Sequence, residues 1–443
     1  MVIGATSVYS KGRTVANSLN INFSQSLIGQ EDIISTRKRM SRDFNSEGER
    51  ILADKVFCGS IVTRDQVTLW GPLIEEDDLG AAWCSLIGNI NNTTDSENFT
   101  RYIIDNYKKE LFPDISYSLT GGLDAEKRNI ELTLDCDLQE SMYQFYTDRG
   151  ICGSLTAYDY ESGEVMCLVS TPGAVWNDKN HSSDAYFNKC LSNTTPGSTM
   201  KLILLYLLED QGIDPESLYF TCNHAYELKA DHEIVNCMGR HGNINGVTAI
   251  GVSCNTYFAQ AIELLDLERA VETLRKMGFQ INDSTCYTNI GNLPRSCSYV
   301  MLNENADFNT VMQLIGEDSG CVSPLDMVRI VGYLATNGQA ADPKIELSDE
   351  TIISEYAMET ADVWSETADI WKKGFDECYE GYSITAGKTG TASDLGADAS
   401  RTQRMFAGYS EETQMAFYIV VENYNNIDTR LDEIVNYFIK QVC

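Results

Sequence analysis

Three short runs hold the reactive groups of this chain. In "GSTMK" a hydroxyl at Ser198 and an amine at Lys201 stand three residues apart, at the mouth of the apolar run "LILLYLL". Residues three apart on a helix share a face. A serine hydroxyl is a weak nucleophile until a base takes its proton, and a lysine drawn out of water loses enough basicity to act as that base. The start of a helix adds unpaired N–H groups and the positive end of its dipole. Taken alone, the spacing is common, and a capping serine beside a solvated lysine is the plainer reading.

Two further runs change that balance. "SCN" puts the Ser253 hydroxyl and the Asn255 amide two residues apart, with Cys254 between them. "KTGTA" sets the Lys388 amine beside the Thr389 and Thr391 hydroxyls in a strand-like segment, where Gly390 lets a neighbour approach the backbone closely.

These groups need a frame. "NIELTLDCDLQ" alternates like a strand and leads into a helix starting near Asp137. "GSLTAYDYESGEVMCLVS" reads as a hairpin turning at Glu161–Glu164. A helix follows Ser198 and ends near Gly212, and "GVTAIGVSCNTYFAQAIELL" reads as one further helical stretch. "LERAVETLRKMG" is a third helix, stopped by Gly278. Strands return in "GYSITAGKTGTAS", "TQRMFAGYS" and "QMAFYIVVENY", and "DTRLDEIVNYFIKQV" closes the chain as an amphipathic helix. Strands thus open and close the main region, with helices inserted between. That pattern predicts an α/β protein of the α+β type: an antiparallel sheet flanked by helices, with a helical subdomain. Residues 126–443 form this region, and 1–125 read as a small polar α+β region.

Composition narrows the partners. The 443 residues carry a net charge of -32, which argues against a nucleic-acid backbone and against anionic lipid. The longest apolar run is far shorter than the ~20 residues that span a bilayer. The 14 cysteines include no C-x-x-C pair, so no metal site is expected. Cys254 reads as a small buried filler, and His224, His232 and His241 as surface or structural residues, since their spacing fits no standard ligand set. Cys222 and Cys237 bracket a short polar loop, and a disulfide between them would close it.

The ordered trio S-x-x-K, S-x-N and K-T-G resembles the signature of active-site serine penicillin-interacting enzymes. The likeness extends through "DAYFNKCLSNTTPGSTMK", "CMGRHGNINGVTAIGVSCNTYF" and "IGEDSGCVSPLDMVRIVGYLATNG" to "AGKTGTA" with its later "FAGY". Over roughly residues 130–443 the chain is similar to the transpeptidase domain of class B penicillin-binding proteins. Residues 1–125 resemble, more faintly, a shortened form of that family's non-catalytic region.

The resemblance implies an enzyme that cross-links peptidoglycan stem peptides, in division or elongation, and is trapped by β-lactams. Ser198 would attack the carbonyl between two terminal D-alanines, with Lys201 as base. The N–H groups of Ser198 and Thr391 would form the oxyanion hole, and Ser253 and Lys388 would return the proton to the leaving amine. Asn255 would hold the donor amide, and Thr389 and Thr391, on either side of Gly390, the terminal carboxylate. No cofactor is implied. The partner would be a membrane glycosyltransferase, and the location the cell envelope outside the cytoplasm, with an anchor preceding this sequence. That location also favours the Cys222–Cys237 bridge. The competing readings are a serine β-lactamase or D,D-carboxypeptidase of the same superfamily, or a non-enzymatic penicillin sensor or scaffold. The E-x-x-L-N loop of one β-lactamase class is missing between the second and third motifs.

Overall fold

The computed structural model describes residues 60–70, 80–87, 129–173, 185, 188–290, 293–317, 320–393, 402–422 and 424–443. The chain divides into two compact units. The first comprises Met1–Cys136 with the short returns Gly173–Phe187 and Gly291–Pro294. Within it, strand Ile61–Val62 pairs antiparallel with Thr68–Trp70 and parallel with Ile130–Glu131, and the helix Ala81–Ile87 is almost wholly buried. The rest of the α+β region expected over 1–125 lies outside the described residues.

The second unit is built on a five-stranded sheet. In chain order its strands are β1 (Cys152–Asp159), β2 (Val165–Thr171), β3 (Ala386–Ser393), β4 (Thr402–Ser410) and β5 (Met415–Glu422). They lie in the order β3-β4-β5-β1-β2, every pair antiparallel. The first hairpin and the last three strands of the chain therefore meet at β5 and β1. The expected turn at Glu161–Glu164 falls between β1 and β2.

β5 is buried from Met415 to Val421 because both of its faces are covered. Successive side chains of a strand point to opposite faces. On one face the Phe417 ring meets Phe438 of the C-terminal helix α6 (Leu431–Val442), centroids 5.1 Å apart. On the other the Tyr418 hydroxyl lies 3.3 Å from Thr199 Oγ1, at the start of helix α1 (Met200–Asp210). Helix α4 (Pro324–Thr336) packs on β1, β4 and β5, and helix α5 (Ala361–Cys378) packs on β3, on α1 and on the short helix α2 (Gly246–Gly251). The Asp326 carboxylate, buried in α4, accepts from Arg295 (2.8 Å), Arg329 (3.2 Å) and the Ser298 hydroxyl (2.6 Å). A buried charge needs such partners, since leaving it unpaired costs several kcal/mol.

The stretch read as one helix over 246–265 is two. α2 ends at Gly251, and α3 (Asn255–Ile262) begins four residues later. Ser253 between them has φ +58°, in the left-handed region. That conformation is uncommon for a residue with a side chain and cannot continue a right-handed helix. The Cys254 sulfur then caps α3 by accepting from the Tyr257 N–H (3.4 Å).

Candidate active site

The nucleophile candidate lies in a single tight turn. Ser198 belongs to the 3-10 turn Gly197–Thr199, which runs directly into α1. It is not a capping residue, because neither the turn nor α1 has a side-chain cap bond. α1 is buried on every side from Met200 to Leu208, as befits a helix with apolar residues all round. Lys201 is the one charge in that segment and is 0% exposed; Ser198 is 7% exposed.

Three side chains and two backbone carbonyls satisfy the two buried lysines. Lys201 Nζ donates to Ser198 Oγ (2.7 Å), Asn255 Oδ1 (2.6 Å) and the Ser253 carbonyl (3.1 Å), and reaches Ser253 Oγ at 3.4 Å. Lys388 Nζ donates to the same Ser253 Oγ (3.0 Å) and to the Thr389 carbonyl (2.7 Å). The three motifs thus form one hydrogen-bonded chain, Ser198–Lys201–Ser253–Lys388. Asn255 is fixed at both ends of its amide, since Nδ2 donates to the Asn236 carbonyl (3.2 Å).

Electrostatics follow from burial. Loss of water lowers Lys201 from 10.5 to about 8, against the pull of the Glu317 carboxylate in the other direction. Desolvation, and then the charge on Lys201, hold Lys388 well below the ordinary lysine range. A lysine near neutrality can release or take a proton at working pH.

The edge strand β3 shows why its motif has this alternation. Lys388 and Gly390 point inward and are buried, while Thr389 and Thr391 on the opposite face are half-buried. Gly390 has no room for a side chain: a Cβ there would stand 2.7 Å from the Pro196 carbonyl. Gly197, at φ +53°, faces the strand, and a Cβ on it would stand 2.7 and 2.8 Å from the Thr391 carbonyl oxygen and nitrogen. Two glycines therefore let the serine turn and the strand touch backbone to backbone.

Sequence reasoning missed three participants. The Tyr379 hydroxyl, just past α5, lies 2.7 Å from Thr389 Oγ1. Arg404 stands opposite Thr391 in the β3–β4 register, so both side chains leave the sheet on one face. Gly197 is invisible as a spacing signal, because its need arises from a strand almost two hundred residues away.

The Cys222–Cys237 bridge is not formed; both are free, buried thiols. Their sulfurs face His241 Nδ1 instead, at 3.4 and 3.6 Å. His232 is at the surface beside Glu227 (2.8 Å), and His224 is exposed. His241 alone among these three joins the cysteines, and Cys254 is part of the same group. The expectation of no metal site rests on the missing C-x-x-C pair; of these four donors only Cys237 and His241 lie close in the chain, and Cys222 and Cys254 join them from separate segments.

The family model of the penicillin-binding protein transpeptidase domain matches residues 153–437. No curated protein matches the chain. The fold is similar to that of penicillin-binding protein A from Mycobacterium tuberculosis (TM-score 0.69, 16% identity, 87% of this chain and 98% of that one). The same M. tuberculosis protein as its penicillin G acyl-enzyme complex gives 0.68 and 15%, over 87% and 98%. The D,D-transpeptidase domain of a peptidoglycan glycosyltransferase from Eggerthella lenta gives 0.64 and 17%, over 88% and 97%. With the family model covering well over half its length, this chain belongs to the penicillin-binding protein transpeptidase family.

Proposed function

We propose that this chain is a serine-type D-Ala-D-Ala transpeptidase acting on peptidoglycan stem peptides outside the cytoplasm. The observation that carries the reading is the hydrogen-bonded chain of four polar side chains from Ser198 to Lys388, buried except at half-buried Ser253, with neither lysine ion-paired to a carboxylate among the described residues.

Ser198 Oγ attacks the carbonyl carbon of the penultimate D-alanine as its proton passes to Lys201. The developing oxyanion accepts from the Ser198 and Thr391 N–H groups, and one such donor is worth roughly 3–4 kcal/mol. Ser253, between the two lysines, relays the proton to the leaving amine, and the C–N bond breaks to release D-alanine. Asn255 holds the donor amide. Thr389 and Thr391, with the Lys388 and Arg404 charges nearby, hold the terminal carboxylate. The amine of a second stem peptide then attacks the ester carbonyl, Ser198 takes its proton back, and the cross-link is made. A β-lactam mimics the dipeptide and is trapped at the ester stage, as in the M. tuberculosis acyl-enzyme.

Residues 1–125 form a non-catalytic region, and the polymer-making partner is a membrane glycosyltransferase. No helix among the described residues is long and apolar enough to cross a membrane.

The test offers a donor peptide ending in D-Ala-D-Ala together with an acceptor amine. Cross-linked dimer formed with release of D-alanine is the expected product. Hydrolysed donor without dimer would favour a carboxypeptidase, and rapid β-lactam turnover without a lasting adduct a β-lactamase.

A further inference from the structure

Four metal-ligating side chains converge beside the Ser253 turn. Cys222 ends one strand of a small ribbon, and its partner in register is Gly242. Cys237 follows the strand Ile234–Asn236, and His241 comes four residues later. Cys254 lies in the break between α2 and α3. The three sulfurs and a ring nitrogen all lie within 4.8 Å of one another. Cys222 Sγ and Cys237 Sγ stand 3.4 and 3.6 Å from His241 Nδ1, and Cys237 Sγ stands 3.8 Å from Cys254 Sγ. A tetrahedral zinc ion, with bonds of about 2.3 Å to sulfur and about 2.0 Å to nitrogen, spaces its ligands about 3.5–3.8 Å apart. Those three separations match that spacing. The three cysteines are buried and His241 is half-buried. No other group of three or more such donors occurs among the described residues.

Gly239 lets the imidazole lie flat against the loop, since a Cβ there would stand 2.7 Å from His241 Nε2. The close pair Cys286 and Cys297, with sulfurs 3.0 Å apart, has no such third donor among the described residues.

We infer that Cys222, Cys237, His241 and Cys254 form a closed tetrahedral site for a zinc-class divalent cation, which fixes the Ser253–Asn255 turn. Three thiolates and an imidazole select a soft, borderline ion over magnesium or calcium. Four protein ligands leave no open position, so the ion is structural and takes no part in the chemistry. Its effect passes through Cys254. This ligand separates Ser253 from Asn255, two of the three side chains that hold Lys201. A metal–sulfur bond at that point holds Ser253 in its left-handed conformation and keeps both neighbours facing the lysine. The link to acylation rests on the function proposed above; the metal site itself does not.

The test starts from the full chain purified without chelator. One zinc per chain by elemental analysis is expected. Exchange for Co²⁺ should give the intense visible bands of a tetrahedral site, with sulfur-to-cobalt charge transfer in the near ultraviolet. Stripping the ion should slow acylation by a fluorescent penicillin at least ten-fold, and added Zn²⁺ should restore it. Cys222→Ser and Cys237→Ser should lose the metal, and Cys378→Ser, exposed and outside the cluster, should keep it. Reduced protein that takes up neither Zn²⁺ nor Co²⁺ would overturn the site, as would a Cys222–Cys237 disulfide in protein that acylates normally. Zinc bound at full stoichiometry whose removal leaves acylation unchanged would overturn the positioning role. Metal binding with no acylation in either form would count against the transpeptidase reading alone.

Discussion

The two walls of the site are held by different forces. On one wall, Ser198 and Lys201 sit on a turn and helix set in apolar packing, against a strand that touches the turn through two glycines. On the other, Ser253 and Asn255 sit in a break between helices, kept in place by hydrogen bonds from two lysines and by a cysteine anchored among polar groups. The first wall is fixed by shape, and close-packed interiors do not deform gradually. The second is fixed by a few polar bonds, each worth about 1 kcal/mol when its partner survives. Damage to the first wall should therefore be near all-or-none, and damage to the second graded.

Short of removing the Ser198 hydroxyl itself, the largest effect is expected at Lys201. Lys201→Met should slow acylation about 10³-fold, within the range of general-base losses, yet leave the melting temperature unchanged or higher. Burial lowers the amine from 10.5 to about 8, so below that pH keeping it charged costs the fold about 3 kcal/mol against an exposed lysine. The unfolded chain holds this proton up to about 10.5, so the wild type should gain stability between about pH 8 and 10.5, and Lys201→Met should not. Thermal melts of both proteins across that window, beside stopped-flow acylation rates, check both parts. A melting temperature lowered by several degrees at neutral pH would mean that the lysine stabilises the wall.

Gly197→Ala should come next. Its Cβ would overlap the Thr391 backbone, and the left-handed conformation adds about 1–2 kcal/mol for a residue with a side chain. Acylation should fall about 10²-fold or more, the loss typical of a misplaced oxyanion donor, with a lower melting temperature. Near-normal acylation would refute the close approach of turn and strand.

On the polar wall, Ser253→Ala should cost about 10²-fold and leave a measurable adduct, because Lys201 still reaches Ser198. Complete loss would make Ser253 part of the shape-fixed wall. Tyr379→Phe should be the mildest change. It removes one hydrogen bond to Thr389 and should weaken donor-peptide binding about five-fold with little change in turnover, as a steady-state KM against kcat comparison would read.

The same contrast explains how much was legible in the sequence. The sheet and its hairpin were, because a strand-length apolar run between turns is a local signal: the run "TQRMFAGYS" is β4 itself. The three motifs were legible as residue types at fixed spacing. The break at Ser253 was not, because the apolar period runs through both α2 and α3. The left-handed turn between them is held by Lys201 and Lys388 from distant elements. The same applies to Tyr379, Arg404 and the glycine at 197, whose roles exist only once β3 lies beside the serine turn. The Cys222–Cys237 bridge was inferred from a bracketed loop. Spacing along the chain could not reveal that His241 and Cys254 complete a four-donor group with the same two sulfurs.

The central claim is that Ser198 carries the acyl group. Incubation of the wild-type chain with penicillin, followed by peptide mapping of the adduct by mass spectrometry, tests it most directly. A single long-lived adduct on the peptide containing Ser198, absent from Ser198→Ala, is the predicted result; an adduct on another residue, or one that survives in Ser198→Ala, would contradict it.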